Sequence, residues 1–255
     1  MSKQNSHTIF GIHAVQSVLD NSADRVKQIF TVQGKPSGRL ADVLQQAKRI
    51  GCAVNALDKA LFEKQFNLRG QTHQSIAADL KPMPTLNEND LKSIVEKAKK
   101  PLLFLILDGV TDPHNVGACL RSADAFGVSA VIVPKDKSSG LTPTACKVAC
   151  GAAETMPFIQ VTNLVRTLQY LQQEGVWLYG AAGETDKSLY QLDLAGSVGL
   201  ILGAEGTGLR RLTRETCDGL FAIPMIGSVE SLNVSVATGI CLSQALHQKT
   251  STGTA

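Results

Sequence analysis

From residue 101 onward, short apolar runs alternate with stretches that have helical spacing. Six runs are apolar at nearly every position, and they cover residues 102–107, 130–133, 158–161, 176–179, 198–202 and 220–223. A strand is apolar on both faces when helices cover both sides of its sheet, which is usual for parallel sheets. The helical stretches lie at about 115–126, 143–151, 163–173, 209–217 and 231–247. The sequence therefore predicts an α/β domain with a parallel sheet and helical crossovers.

The first 80 residues differ from this region in both pattern and charge. Shorter helical and strand-like stretches alternate there, which predicts a separate small α/β module. Residues 1–80 hold ten Lys and Arg against six Asp and Glu, whereas residues 101–255 hold ten against thirteen. A basic module suits a polyanionic partner, but an excess of this size is also common on an ordinary solvated surface.

Four segments are expected along the chain. The first domain is predicted at 1–80 and the second at 101–249, with a linker at 81–100 and a disordered tail at 250–255. The linker is predicted because prolines open this segment and a short charged helix closes it.

Composition excludes several classes of protein. The chain is 44% hydrophobic and 18% charged, which is typical of a globular protein with a substantial core. No apolar run approaches the length of a membrane span and the first residues lack an apolar leader, so we expect a cytoplasmic protein without a membrane partner. The six cysteines show no paired zinc spacing, which predicts reduced core thiols and no metal site.

Three glycine-bearing loops follow predicted strands, at the end of the sheet where parallel α/β proteins bind ligands. The first, at 108–127, leads into a helix with Asn115, Gly117 and Arg121. Arg121 lies off the buried stripe, and Gly117 one turn earlier should leave that side of the helix uncovered. We therefore expect the guanidinium to reach the loop and bind a phosphate or carboxylate, with a solvated surface cation as the alternative.

The second loop, at 203–210, contains three glycines and Glu205. Its spacing is G-x-x-G-x-G, which differs from the dinucleotide pattern G-x-G-x-x-G, and it comes late in the domain. Glu205 would repel a pyrophosphate, so the loop suits a ligand with a positive charge or hydroxyl donors. A simple turn with a solvated carboxylate is the alternative.

The third loop follows the last predicted strand. Pro224 cannot donate to a ladder, so the strand should end there. Gly227 frees the loop backbone, and Ser231 or Asn233 can cap the helix that follows. A strand, a glycine-bearing loop and a capped helix allow backbone amides to face a ligand, although they also occur in an ordinary βα connection.

The three loops resemble the motifs of the SpoU/TrmH family, which are RNA ribose 2′-O-methyltransferases of the SPOUT class. The matching residues are Asn115-x-Gly117-x-x-x-Arg121, Gly203-Ala-Glu205-Gly-x-Gly-Leu209 and Ile223-Pro-Met-x-Gly-x-x-x-Ser231-Leu-Asn233-Val-Ser-Val-Ala. The stretch Phe10-Gly-Ile-His-Ala-Val is similar to the start of the family's N-terminal substrate-binding module. The resemblance covers the whole chain.

The resemblance implies a fold, a cofactor and partners. It implies a ribosomal-protein-like RNA-binding domain followed by a parallel-sheet domain with a trefoil knot, S-adenosyl-L-methionine as the cofactor, and a homodimer. Thr111-Asp-Pro-His114 is similar to the branch that methylates a guanosine in the peptidyl-transferase region of 23S ribosomal RNA. The implied cofactor pocket includes Gly203, Ile223 and Leu232.

The resemblance also implies five catalytic positions, which are Asn115, Arg121, Glu205, Ser231 and Asn233. The family account makes the arginine a base, but a guanidinium keeps its proton in nearly every protein setting. We therefore expect Arg121 to act as an electrostatic clamp on a phosphate and the developing alkoxide. The asparagines and the serine would orient the nucleophile, and the glutamate would fix the loop or the substrate.

Three other functions remain open at this point. One is a transfer RNA methyltransferase of the same family, whose minimal members usually lack the N-terminal module. Another is a non-catalytic RNA-binding protein, which the retained arginine, glutamate and asparagine disfavour. The last is a dinucleotide oxidoreductase, which the glycine spacing disfavours.

Overall fold

The computed structural model describes residues 7–36, 38–70, 73–81, 85–99 and 101–253. The chain divides into two compact units, Met1–Pro84 and Thr85–Ala255, which we call the first and second unit. Within the described ranges, no helix is both long enough and apolar enough to span a membrane. Those same ranges contain no cluster of three or more His, Cys, Asp or Glu side chains placed to hold a metal ion.

The first unit is a four-stranded sheet with helices. Its elements are β1 (His7–Phe10), α1 (Ile12–Asn21), β2 (Val26–Val32), α2 (Arg39–Arg49), β3 (Val54–Leu57), α3 (Lys59–Gln65) and β4 (Ile76–Leu80). The strand order is β1-β4-β2-β3, with β2 and β3 parallel and the other pairs antiparallel. Strand β1 was not expected from the sequence, because its four residues are too short to show a periodic pattern.

The second unit is a six-stranded sheet in which every pair of neighbours is parallel. Its elements are α4 (Glu88–Glu96), β5 (Leu103–Asp108), α5 (Pro113–Ala125), β6 (Ala130–Pro134), α6 (Pro143–Val148), α7 (Ala152–Thr155), β7 (Phe158–Val161), α8 (Leu164–Gln173), β8 (Trp177–Ala181), β9 (Val198–Gly203), α9 (Arg211–Thr216), β10 (Gly219–Phe221) and α10 (Val234–Ser251). The strand order is β10-β8-β9-β5-β6-β7. The predicted parallel α/β domain is therefore confirmed.

The central strand β5 shows why its sequence has no polar alternation. All six of its residues are buried. Leu103, Leu105 and Leu107 face one core together with residues of α5 and α10. Phe104 and Ile106 face the opposite core together with residues of α8. Both faces are covered by helices, so every position of the strand must be apolar until the strand ends.

The segment predicted as a linker is largely part of the second unit. Helix α4 begins at a capping box between Asn87 and Asp90. Its Leu91 is 1% exposed and belongs to the core of the second unit. Leu86 also forms a parallel bridge with Ile159 of β7. The apolar positions of this short helix were overlooked because charged residues surround them. Residues 82–84 and 100 lie outside the described residues.

The chain's last helix, α10, is longer than predicted. It continues to Ser251, past the predicted domain end at 249, because side chains and carbonyls of its final turn remain hydrogen-bonded. Within the expected disordered tail, residues 250–253 are therefore structured, and 254–255 lie outside the described residues. The trefoil knot stays a prediction drawn from the family resemblance.

Candidate active site

The strand order places the three glycine-bearing loops beside one another. After β5 the chain builds β6 and β7 on one side, and it then returns to build β8, β9 and β10 on the other. This reversal of direction lies between β5 and β9, whose last residues, Asp108 and Gly203, are paired in register. Ligand crevices in open α/β sheets form at such a point, outside the carboxyl ends of the strands.

Helix α5 is capped in a way that leaves Asn115 free for other contacts. Asp112 is the N-cap, and its Oδ1 accepts a hydrogen bond from the His114 backbone N–H at 3.0 Å. Pro113 occupies the first turn, where its missing N–H costs nothing. Because Asp112 caps the helix, the Asn115 amide can extend toward the neighbouring loop.

One carboxylate oxygen, Glu205 Oε1, joins all three loops. Asn233 Nδ2 donates to it at 2.6 Å and Asn115 Nδ2 at 3.1 Å. The backbone N–H of Val234 adds a contact at 3.4 Å. Asn233 Nδ2 also donates to Asn115 Oδ1 at 2.9 Å, which closes the network. We call Asn115, Glu205 and Asn233 the polar cluster. Three of the five residues predicted as catalytic therefore meet in one place.

Asn233 serves the polar cluster and helix α10 at the same time. Its Oδ1 caps the helix by accepting from the Ser235 backbone N–H at 2.9 Å, while its amide nitrogen donates to the cluster. The cap fixes the orientation of the amide plane, so both donor hydrogens point toward the other two loops. The helix begins at Val234, later than the sequence suggested, because Asn233 rather than Ser231 is the cap.

The glycine loop folds tightly over the end of β9. A Cβ placed on Gly203 would lie 2.1 Å from the Gly208 carbonyl carbon and 2.5 Å from the Leu209 nitrogen. The Gly208 N–H donates to the Ala204 carbonyl at 2.9 Å, which closes the hairpin. Only glycine fits at position 203, because two backbone segments are in contact there.

An ion pair between the buried Asp108 and the partly exposed Arg210 holds the glycine loop against β5. Asp108 is fully buried, and it accepts from the Arg210 backbone N–H at 2.9 Å and from Arg210 Nε at 2.5 Å. The carboxylate thereby joins the last residue of the glycine loop at 203–210 to the first residue of the loop at 108–127. Hydrogen-bond geometry on both oxygens is what makes a buried charge tolerable.

Replacing Asp108 with asparagine should lower the free energy of unfolding by about 2–4 kcal/mol, because the amide would place a donor against one of two N–H groups. Urea denaturation measures the change. The matched control is Arg211→Gln, which breaks an exposed pair with Glu215 on the next helix and should cost less than about 1 kcal/mol. Equal effects of the two substitutions would contradict the anchoring role of Asp108.

A cavity of about 530 Å³ opens beside the polar cluster. Its volume lies within the range of about 300–1,000 Å³ that is typical of small-molecule sites. The lining includes Gly203, Glu205, Ile223, Ser231 and Leu232. All three residues predicted to bind the cofactor, and two of those predicted as catalytic, therefore line one cavity.

Among the described residues of the single chain, Arg121 makes no hydrogen bond with the polar cluster. It is exposed, it is not among the residues that line the cavity, and its Nη1 donates to Cys150 Sγ at 3.6 Å. The expectation that Gly117 leaves its side of the helix uncovered was wrong. A Cβ on Gly117 would lie 2.4 Å from the Ala145 carbonyl oxygen, because α6 packs there.

The cysteines also differ from expectation at one position. All six are free, and Cys119, Cys146 and Cys241 are buried. Cys150 is exposed and therefore is not a core thiol. Burial raises the pKa of the Cys241 thiol to about 12 and that of Cys119 to about 11, so these two remain protonated at neutral pH.

Sequence reasoning missed a fourth loop of the cavity. Residues 182–184 follow β8 and line it, and Arg214 of α9 lines it as well. The rule that ligands lie beyond the carboxyl ends of strands would have identified 182–184, had it been applied to the predicted strand at 176–179. Nothing in the local sequence distinguishes Arg214 from Arg211, the other cation of α9.

A parallel α/β sheet with a glycine-loop cavity at its strand-order reversal, closed by a C-terminal helix, is the architecture of the SPOUT-class methyltransferases. The family comparisons agree. Residues 102–243 match the SpoU rRNA Methylase family, and residues 8–86 match the family described as RNA 2′-O ribose methyltransferase substrate binding. The chain belongs to the SpoU rRNA methylase family and is a methyltransferase.

Curated relatives are similar over nearly their whole length. A protein of Vibrio vulnificus named 23S rRNA (guanosine-2′-O-)-methyltransferase RlmB is 53% identical, over 94% of this chain and 96% of that protein. The RlmB of Escherichia coli K12 is 51% identical, over 96% of this chain and 99% of that protein. The similarity therefore includes both units.

Solved structures share the fold. A putative RNA methyltransferase of the TrmH family from Porphyromonas gingivalis has a TM-score of 0.71 at 27% identity, covering 95% of this chain and 90% of that one. The SpoU methyltransferase AviRb from Streptomyces viridochromogenes, solved with the cofactor AdoMet, has a TM-score of 0.79 at 22% identity, covering 96% of this chain and 91% of that one. At that lower identity the likeness concerns the fold alone.

Proposed function

We propose that the protein transfers a methyl group from S-adenosyl-L-methionine to the ribose 2′-hydroxyl of a guanosine in 23S ribosomal RNA, in the peptidyl-transferase region. The observation that carries this proposal is the polar cluster beside the cavity, in a chain 51–54% identical to proteins named for that reaction. In this proposal the polar cluster binds the nucleophile, the ribose 2′-hydroxyl, and the cavity binds the methyl donor.

The cavity fits the proposed cofactor by the chemistry of its walls. Leu202, Phe221 and Ile223 supply apolar surface for an adenine ring. Gly206 and Gly208 have no heavy atom within 4 Å of where a Cβ would stand, so ligand atoms can approach the loop backbone there. When bound, S-adenosylmethionine supplies an electrophilic methyl group on a sulfonium. Gly203, Ile223 and Leu232 would hold it, largely through backbone groups.

The polar cluster is suited to orienting a hydroxyl nucleophile. Three donors converge on Glu205 Oε1, so the carboxylate is fixed in place. Within the described part of the chain, Oε2 makes no such contact and can accept a hydrogen bond from the ribose 2′-hydroxyl. It would then take up the proton that this hydroxyl releases as its oxygen forms the bond to the methyl group. Ser231 lines the same cavity and can bind the ribose from the other side. Holding the hydroxyl oxygen in line with the methyl group lowers the entropic part of the barrier.

Arg121 has a separate role in this proposal. A guanidinium does not give up its proton, so it cannot be the base. It is a positive charge that stabilises a substrate phosphate and the 2′-oxygen as that oxygen becomes anionic. Arg121 does not line the cavity in one chain, so we expect that a second copy in the proposed homodimer, or a movement of the arginine within its own chain, brings the guanidinium to the nucleophile.

The first unit supports a ribosomal substrate over a transfer RNA. It matches a substrate-binding family of RNA ribose methyltransferases. The structure of the Aquifex aeolicus TrmH/SpoU tRNA modifying enzyme, at 28% identity, covers only 66% of this chain. The RlmB relatives cover at least 94%. We infer a ribosomal RNA partner, a homodimer and a cytoplasmic location.

Mass mapping of 23S ribosomal RNA tests the proposal. RNA from cells lacking the gene should lose one 2′-O-methylguanosine in the peptidyl-transferase region, and a plasmid copy should restore it. A plasmid copy carrying Asn233→Ala should not, because the substitution removes two donors of the polar cluster. An unchanged 23S pattern together with a lost methyl group in transfer RNA would transfer the assignment to the alternative substrate.

A further inference from the structure

The cavity carries an ion pair on its wall that none of the roles above uses. Glu184, in the loop after β8, and Arg214, on α9, both line the cavity and form a salt bridge with each other. Arg214 is the one cation among the described residues of the lining. The pair therefore adds both signs of charge at one point of a wall that otherwise consists of glycine, apolar, hydroxyl-bearing and acidic residues.

The geometry of this pair leaves it able to bind something else. The side chains are 41% and 58% exposed, so neither is sealed into the protein. The contact joins Arg214 Nη1 to Glu184 Oε1. A guanidinium carries five N–H donors and a carboxylate has a second oxygen, so this contact leaves donors and an acceptor for a ligand. An exposed pair of this kind contributes little to stability, which makes a purely structural role a weak explanation.

The proposed cofactor has an end that complements both charges. S-adenosylmethionine ends in an amino acid, with an ammonium and a carboxylate on one carbon. We infer that Arg214 binds the carboxylate and Glu184 the ammonium, so that the ion pair is the subsite for the amino-acid end of the cofactor. This inference rests on the proposed function. A guanidinium is well suited to a carboxylate, because two parallel N–H groups match its two oxygens.

The alternative ligand for a carboxylate in such a cavity is a ribose diol. A diol is neutral and needs only an acceptor, so it would not account for Arg214. The other carboxylates of the lining, Glu205 and Glu230, have no cation of the lining beside them in an ion pair. The zwitterionic end of the ligand therefore matches Glu184 and Arg214 better than any other part of the wall.

Calorimetric titration of the full-length protein with two ligands tests the subsite. S-adenosylhomocysteine carries the amino-acid end, and 5′-methylthioadenosine lacks it but keeps the ribose and adenine. Glu184→Gln and Arg214→Gln should each weaken S-adenosylhomocysteine binding by about five- to tenfold, as expected for a charged hydrogen bond in a partly exposed site. Binding of 5′-methylthioadenosine should stay within about twofold of the wild type, since it makes neither contact.

The matched controls are Arg211→Gln and Glu215→Gln. Each breaks an exposed ion pair on α9, the helix that carries Arg214, and neither of these two residues lines the cavity. They should change neither affinity. If both ligands weaken equally in the Glu184 and Arg214 variants, or if neither changes, the subsite assignment is overturned while the cofactor assignment stands. If the wild-type protein binds neither ligand nor S-adenosylmethionine, the proposed function itself fails.

Discussion

Replacing Arg121 with alanine is expected to reduce methyl transfer by about 1,000-fold, because the substitution removes the positive charge that stabilises the developing alkoxide. Cofactor affinity should change by less than about twofold, since Arg121 does not line the cavity. The measurement is incorporation of labelled methyl into a 23S ribosomal RNA fragment at saturating cofactor, with calorimetry for binding. A fall in cofactor affinity equal to the fall in turnover would show that Arg121 acts on binding instead.

The conservative variant Arg121→Lys separates charge from geometry. Lysine keeps the charge but loses the planar, bidentate donors, so we expect turnover to fall by about tenfold or more. Near-full turnover would show that bidentate contact is unnecessary.

Mixing two inactive variants tests whether a second copy supplies Arg121. Co-expressed Arg121→Ala and Glu205→Ala chains would assemble some dimers with one intact composite site, and activity would return only if the two residues come from different chains. No recovery, in dimers shown to be mixed, would place both residues in one chain.

Replacing Gly203 with alanine is expected to lower cofactor affinity by about 100-fold, or about 2.7 kcal/mol. The added methyl would stand 2.1–2.5 Å from backbone atoms of Gly208 and Leu209. Backbone atoms cannot rotate away as a side chain can, so the glycine loop must open. Opening would displace the cavity wall that this loop forms and would shift Glu205. Overpacking of this kind should also lower the free energy of unfolding by about 1–3 kcal/mol.

The matched control is Gly219→Ala in β10. Its added methyl would meet only the Tyr179 ring at 3.4–3.5 Å, which is an ordinary contact. This variant should bind cofactor as the wild type does. If Gly203→Ala bound cofactor equally well, the close approach at the end of β9 would not matter for the site.

Much of the second unit could be predicted from the sequence because its signals are local. Continuous apolar runs such as 102–107 predict buried parallel strands, and the parallel sheet follows. The rule for strand ends then predicts that the loops carrying Asn115, Glu205 and Asn233 lie near one another, and in the structure these three side chains are hydrogen-bonded. These residues are 90 and 28 positions apart along the chain, so the hydrogen bonds themselves could not be foreseen.

Other features depend on packing between distant segments, and local patterns do not encode it. The pairing of Asp108 with Arg210 joins residues 102 positions apart, and neither has an unusual neighbourhood in sequence. Helix α6 covers Gly117, and this depends on how two helices pack. The sequence of α5 alone therefore could not show whether the side of the helix next to Arg121 is open. Helix α4 was assigned to a linker because a single buried leucine is a weak periodic signal.

The convergence of three donors on one oxygen of Glu205 has a consequence for how activity appears during folding. Its side-chain donors come from segments up to 118 residues apart, so loops of very different length must close before the carboxylate is held. Closing a long loop costs more conformational entropy than closing a short one, so contacts between distant segments form slowly. We therefore expect that a partly folded chain with most of its helices and strands still lacks methyltransferase activity until its sheet is complete.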